Sequence, residues 1–423
     1  MQINRSYQPG LRASHLQLNK FKTVQCQLRF FAVSDERDAT VRTLMFHMMK
    51  AKTHAYPSRR LMTQRQETLY DLHLSHAVSL MGQAHVATMS VSFAHPRYLD
   101  QHDYLGDVLA FMKQVLIAPW FDEATLVQEK QFLRDYFDGI YASKARYANK
   151  RFWDTILEGH PDHLHGYGDI KHLDSITLED IQSAHRALLE ENPIHLAVVG
   201  DLQGLMTLEE MIQTLALKPR MTPWPSFKHR VAHQPKANVY DLEPVSQERV
   251  YMAFDFAVFY GDEDYYAAIV FNQILGEGSE SLLFQEIRER HSMAYDVHSS
   301  LAAAWGLLIV QAGVSYDNLA RTIDVTQSII QDLKKTPVDE AQLALAKKTL
   351  IHGITQSYDA AKVLAYRLLR EDLLNIPFAK DQAVKHIQEV TVQDVLNVAQ
   401  KLKRLMVYTL GGAEDGSVHL SSL

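Results

Sequence analysis

Along this chain, short apolar runs are interleaved with longer stretches whose apolar residues recur at helical spacing. VATMSVSF from Val86 and LLIVQAGVSY from Leu307 read as strands. Ile194 to Gly200 (IHLAVVG) and Leu405 to Gly411 (LMVYTLG) read as buried strands running into turns, because each is a continuous apolar run closed by glycine. Strands come first, helices occupy the middle and one strand closes the series, an order that predicts an α+β layer with a largely antiparallel sheet.

The series occurs twice. His172 to Ile181 (HLDSITLEDI) runs parallel to His386 to Val395 (HIQEVTVQDV) at an offset of 214 residues. Each reads as a threonine N-cap, Thr177 or Thr391, before a helix with an acid in its first turn, where the helix dipole favours negative charge. Asp122-Glu123-Ala124 matches Asp339-Glu340-Ala341 at an offset of 217, and both open long amphipathic helices. Several matches in one order at nearly one offset predict two homologous domains. The Pro-rich, basic stretch from Met221 (MTPWPSFKHRVAHQPKAN) divides them, giving domains at 1–218 and 236–423 with a linker at 219–235.

At 423 residues the chain is long enough for two such cores, and 47% hydrophobic with 22% charged residues is ordinary globular composition. A formal charge of -7 argues against a phosphate-tracking nucleic-acid protein. Cys26 is the single cysteine, so no intrachain disulfide and no thiolate cluster can form. Nothing approaches 18 consecutive apolar residues, and the expected setting is cytoplasmic and away from membrane.

The segment GEGSESLLFQEIRERHSMAYDVHSS, Gly276 to Ser300, resembles the glycine-rich turn, helix and Arg/Tyr signature of the pitrilysin/insulinase/processing-peptidase family of inverted-motif zinc peptidases. HPDHLHGYGDIKHLDSITLEDI from His160 and NPIHLAVVGDL from Asn192 are similar to the loop, helix and closing strand of the family's first domain. The resemblance covers nearly the whole chain and its duplicated plan. It implies a zinc site in the first domain, where His-x-x-Glu-His on one helix face would supply two ligands and a base, and a downstream glutamate a third ligand.

That motif is lost here. Set back from Tyr56-Pro57, its place is taken by Thr43-Leu44-Met45-Phe46-His47, in which only the last histidine survives. The family's two downstream glutamates fall on Glu129 and Tyr136, so the ligand position is lost as well. No His-x-x-Glu-His occurs in any register, and the chain is expected to bind no metal. Taken alone, His47 is a buried structural histidine and the Met45, Met48, Met49 run is core. His160, His163 and His165 could meet a transition metal, but match a structural loop of the family; His73 and His76 stand at helical His-x-x-His spacing without an intervening Glu.

What the resemblance keeps is in the second domain. Arg288 and Tyr295, seven residues apart, match the family's pair that hydrogen-bonds substrate over the zinc. Both can donate to the oxyanion that develops when a peptide carbonyl is attacked. The loop departs from the family at His291-Ser292-Met293, where Gly-Leu is usual. The resemblance thus implies a non-zinc subunit working with a zinc-bearing homologous partner on a peptide substrate. Its rivals are a purely structural or peptide-binding relative, and an independent metalloenzyme built on the His160 to His165 cluster.

Overall fold

A computed structural model describes residues 2–33, 35–99, 103–158, 166–228 and 237–412. In the first half come strands β1 (Gln2–Gln8), β2 (Leu11–Gln17) and β3 (Thr23–Val33), helices α1 (Glu36–Ala51) and α2 (Arg59–Thr68), and strands β4 (His73–Met81) and β5 (Ala84–Ala94). Helices α3 (Tyr104–Ile117), α4 (Glu123–Ala142), α5 (Lys144–Ile156) and α6 (Leu178–Glu190) follow, then β6 (Ile194–Gly200) and α7 (Leu208–Thr214). The second half repeats the series: β7 (Asn238–Leu242), β8 (Glu248–Asp255), α8 (Tyr265–Gly276), β9 (Ala294–Ala302) and β10 (Leu307–Val314). Its helices are α9 (Leu319–Lys335), α10 (Glu340–Ser357), α11 (Ala361–Leu374), α12 (Lys380–Glu389) and α13 (Val392–Lys401), and β11 (Lys403–Gly411) closes it.

Sheet order displays the duplication directly. One sheet runs β1-β2-β6-β3-β5-β4 and the other β7-β11-β8-β10-β9. Substituting β7 for β2, β11 for β6, β8 for β3, β10 for β5 and β9 for β4 converts one order into the other, with β1 as an addition to the first. Each sheet has a single parallel pair, β2 with β6 and β7 with β11, and is otherwise antiparallel.

Local chemistry repeats too. Thr177 and Thr391 cap α6 and α13 with full capping boxes, each threonine side chain accepting from the backbone three residues on while Asp180 or Asp394 accepts from the threonine N–H. Asp122 and Asp339 accept from the N–H of Thr125 and Gln342, both at 2.8 Å, and start α4 and α10. The closing strand β6 is buried at every position.

The compact units are not contiguous halves. One comprises Met1–Gly139, Leu164–Phe227 and Ser357–Leu374; the other comprises Ile140–His163, Lys228–Gln356 and Asn375–Leu423. Relative to a division at 219–235, α5 and α11 have changed places. The repeat offset of 217 that relates α4 to α10 also relates Lys144 of α5 to Ala361 of α11. Helix α11 packs on β6 and β3 of the first unit, and α5 on the equivalent β11 and β8 of the second. Phe152 of α5 stacks on Tyr251 with ring centroids 5.0 Å apart.

Part of the expected linker is fixed to the first unit. Trp224 and Phe227 stand edge-on to the buried ring of Phe31 at 5.3 and 5.6 Å, and Gln83 N donates to Ser226 O. Gly82, at φ 59°, permits this approach, since a Cβ there would lie 2.8 Å from the backbone of Ser226 and Phe227. Among the described residues no helix is long and apolar enough to cross a membrane.

Candidate functional site

Helix α1 is capped by Asp35, whose carboxylate accepts from Asp38 N. Positions 43, 46 and 47 then share one face, as the inverted motif requires. Thr43 is fully buried and turns its hydroxyl back to donate to Ala39 O at 2.8 Å. Phe46 is buried against Phe30 and meets the ring of His76 edge-on at 5.3 Å. His47 is partly exposed, and its Nδ1 lies 3.4 Å from Oε2 of Glu129, a buried carboxylate of α4. Arg59, the first residue of α2, pairs with the other Glu129 oxygen. Burial alone would raise the Glu129 carboxyl, but His47 and Arg59 together hold it below its ordinary range.

Two turns beyond Glu129, Tyr136 stacks on Tyr167 with centroids 4.3 Å apart, and Tyr167 faces the His47 ring edge-on at 6.5 Å. Phe132 covers the same ring at 5.4 Å while 59% exposed. These residues do not fit zinc. Of Thr43, Phe46, His47 and Tyr136, only His47 is an ordinary zinc donor. Glu129 touches Nδ1 of His47 as an outer-shell carboxylate would, yet the cation beside it is the Arg59 guanidinium. Among the described residues no three His, Cys, Asp or Glu side chains are grouped to hold a metal. The His160, His163, His165 cluster lies outside the described residues.

The helical spacing read into His73 and His76 is corrected by the fold. Both sit on strand β4, where residues three apart point to opposite faces. His73 is exposed, while both ring nitrogens of His76 are buried and find no hydrogen-bond partner among the described residues. Burial, with Lys50 and His47 nearby, lowers the His76 pKa to about 3.

In the second unit, the segment with Arg288 and Tyr295 is irregular at three consecutive places. Arg288 belongs to a seven-residue π-helix, Phe284–Arg290, a rare form frequent at functional sites. Ser292 follows at φ 50°, a left-handed conformation unusual for serine, and Met293 N donates to Ile287 O at 2.9 Å. Strand β10 then pairs Gly313 with Asp296 and Val314 with Ala294, so Tyr295 is the extra residue of a β-bulge on the edge strand β9. Tyr295 is 71% exposed. Arg288 is exposed as well and lays its guanidinium over Phe284, 4.9 Å from the ring centre, while Arg290 is paired with Glu286. Gly276 is required by close packing, because a Cβ there would stand 2.5 Å from Ser299 Oγ.

The sequence reading found these two groups of residues from motif spacing. It missed Arg59, which is 70 positions from Glu129 and gave no local signal, and the backbone irregularities that carry Arg288 and Tyr295.

The profile of the peptidase M16 inactive domain matches residues 175–350. The chain is 25% identical over 414 residues to the Bacillus subtilis protein named "Probable inactive metalloprotease YmfF", covering 96% of this chain and 97% of that one. It is 23% identical to the B. subtilis "Uncharacterized zinc protease YmxG" over 73% of this chain and 75% of that one. Its fold matches the crystal structure of a conserved protein from Enterococcus faecalis V583, with a TM-score of 0.88, 22% identity, and 96% and 97% of the two chains covered. It also matches a peptidase M16 inactive domain from Pseudomonas fluorescens, with a TM-score of 0.81, 18% identity, and 98% and 99% covered. Profile, full-length relative and shared fold agree with the altered motif on α1: the chain resembles the inactive domain of M16 peptidases over part of its length and a probable inactive metalloprotease over nearly all of it, and among the described residues it groups no set of zinc ligands.

Proposed function

We propose that this chain is the non-zinc half of a composite peptidase, contributing substrate binding and transition-state stabilisation at the zinc site of a homologous partner subunit. The observation that carries the reading is the contrast between the two units. The zinc motif of the first is replaced by Thr43, Phe46 and Tyr136, while Arg288 and Tyr295 of the second remain at family spacing, exposed, on a π-helix and a bulge. A guanidinium and a phenol are suited to donate to the oxyanion of peptide hydrolysis without taking up its proton. The substrate is an unfolded peptide, bound by adding a strand to a sheet edge. A cytoplasmic setting is supported by the single, buried cysteine, Cys26.

The test is reconstitution with a zinc-bearing relative and assay of peptide cleavage. Arg288→Ala and Tyr295→Phe should each lower kcat by about 10²- to 10³-fold, the usual effect of removing one oxyanion donor. A second reading, a non-catalytic structural or peptide-binding relative, draws on the inactive-domain match. Unchanged rates in both variants would establish it against ours. Stoichiometric zinc in the purified chain alone would contradict both.

A further inference from the structure

The duplicated sheets differ at one edge. Strand β4 of the first sheet pairs with β5 in unbroken register from His73 to Met81, whereas its counterpart β9 shifts register against β10 between Gly313 and Val314 and bulges at Tyr295. The bulge is therefore an addition of the second unit rather than a consequence of the shared fold. Strand β9 is paired on one side only, so the direction in which Tyr295 leaves it depends on what fixes the residues to either side.

Before the bulge, Met293 and Ala294 are buried. After it comes Asp296, opposite Gly313 of β10, which is itself opposite Arg249 of β8. These three residues form one row across three strands. Arg249 Nη1 donates to both Asp296 oxygens, at 2.8 and 3.1 Å, and spans Gly313 to reach them, while Arg249 Nη2 donates to Gln247 Oε1 at 2.8 Å. The ion pair can close only over glycine. A Cβ at 313 would stand 2.4 Å from Asp296 Oδ1, 2.7 Å from Arg249 Nη1 and 3.0 Å from Gln247 Oε1.

We infer that Arg249 and Asp296, joined over Gly313, are positioning residues that fix the direction in which the bulge presents the Tyr295 phenol. A half-exposed ion pair adds little to the stability of a fold, so its effect here is geometric. A displacement of about 1 Å in a group that meets the reacting atoms can cost about a hundredfold in rate. The consequence for catalysis rests on the composite-peptidase reading above; the fixing of the bulge does not.

Gly313→Ala is the discriminating variant, because the atoms its methyl would strike are side-chain ends that can swing away while the backbone of β10 stays in place. Arg249→Met removes the guanidinium by a second route. In the complex reconstituted with a zinc-bearing relative, each should lower kcat by about tenfold or more with KM changed by less than about twofold, and neither should lower kcat further in a Tyr295→Phe background. Gln311→Ala, which releases His298 in the next row of the same two strands, should leave kcat within about twofold. In the full chain alone, hydrogen exchange over residues 294–296 should quicken by about tenfold in Gly313→Ala and in Arg249→Met, and stay unchanged in Gln311→Ala. Unchanged exchange in the first two variants, an equal effect from Gln311→Ala, or a fall in kcat that is the same with and without the Tyr295 hydroxyl overturns the inference. Quickened exchange together with a fully active Tyr295→Phe variant upholds the positioning and removes instead the catalytic reading of Tyr295.

Discussion

Acidified from neutral pH to about 4.5, the first unit should unfold while the second remains folded. Three histidines of the first unit are held neutral, His85 and His195 buried and His76 half-buried with both ring nitrogens covered: the pKa is lowered to about 3 in His76 and His85 and to about 4 in His195, burial being the largest cause in each. Two of them share a geometry that explains why. Arg42 Nε donates to His85 Nδ1 at 3.0 Å while His85 Nε2 lies 2.8 Å from Gly166 O. In the same way Arg29 Nη1 meets His195 Nδ1 at 3.3 Å while His195 Nε2 lies 2.9 Å from Asp372 Oδ2. Protonating either Nδ1 would break an arginine hydrogen bond and set two cations together in the interior.

Because these pKa values are lower folded than unfolded, the unfolded chain takes up the protons first. Their contribution to stability is complete above about pH 6.5 and falls as the pH drops toward the folded values. Each histidine adds about 1.4 kcal/mol per pH unit, so three together give a slope of about 4 kcal/mol per unit. A stability of about 5–15 kcal/mol would be consumed within about one to four units. Tryptophan fluorescence in a Trp153→Phe/Trp305→Phe variant reports the first unit through Trp120 and Trp224. His76→Leu should reduce the slope by about one third, since one proton fewer is taken up. A slope below about 1 kcal/mol per pH unit, or simultaneous loss of both units, would show that these histidines do not set the acid limit.

What the sequence disclosed was governed by short-range rules. A threonine three residues before an acid predicts its own capping box, and both Thr177 and Thr391 form one. Apolar runs ending at Gly200 and Gly411 became β6 and β11 for similarly local reasons. Partners distant in the chain were hidden. Three-residue spacing of His73 and His76 suits a helix or a strand, and only pairing with β5 decides between them. The trade of α5 for α11 leaves no trace in the repeat offset, because an offset relates equivalent helices without saying which sheet each covers. One clue was available: Asp372 falls four residues after Leu368, on the stripe of α11 that also carries Leu364 and Ala365, where a charge must find buried partners.

Those partners make Asp372 the place where a single substitution should most damage the first unit. Tyr7 and Ser14 each donate a hydroxyl to its carboxylate at 2.6 Å, His195 donates at 2.9 Å, and Arg12 reaches its backbone carbonyl. Burial by itself would raise the Asp372 pKa, but the hydrogen bonds from His195, Ser14 and Tyr7 hold it below the ordinary carboxylate range. Asp372→Ala should cost about 3–5 kcal/mol, because it strands the buried donors Ser14 and His195 together with the more exposed Tyr7 hydroxyl and removes the carboxylate facing Arg5. Asp372→Asn, which keeps one acceptor oxygen, should lose less. Tyr7→Phe alone should cost about 1 kcal/mol, yet be neutral or stabilising in the Asp372→Ala background, where the hydroxyl has nothing to donate to. A carboxylate with a lowered pKa contributes fully above its unfolded value, so the stability difference between the unaltered chain and the Asp372→Ala variant should hold constant from neutral pH to about 5. The urea midpoint of the first unit, followed through Trp120 and Trp224, measures all four variants. If Asp372→Ala shifts that midpoint no further than Tyr7→Phe does, the cluster is not what fixes α11 to β6 and β3.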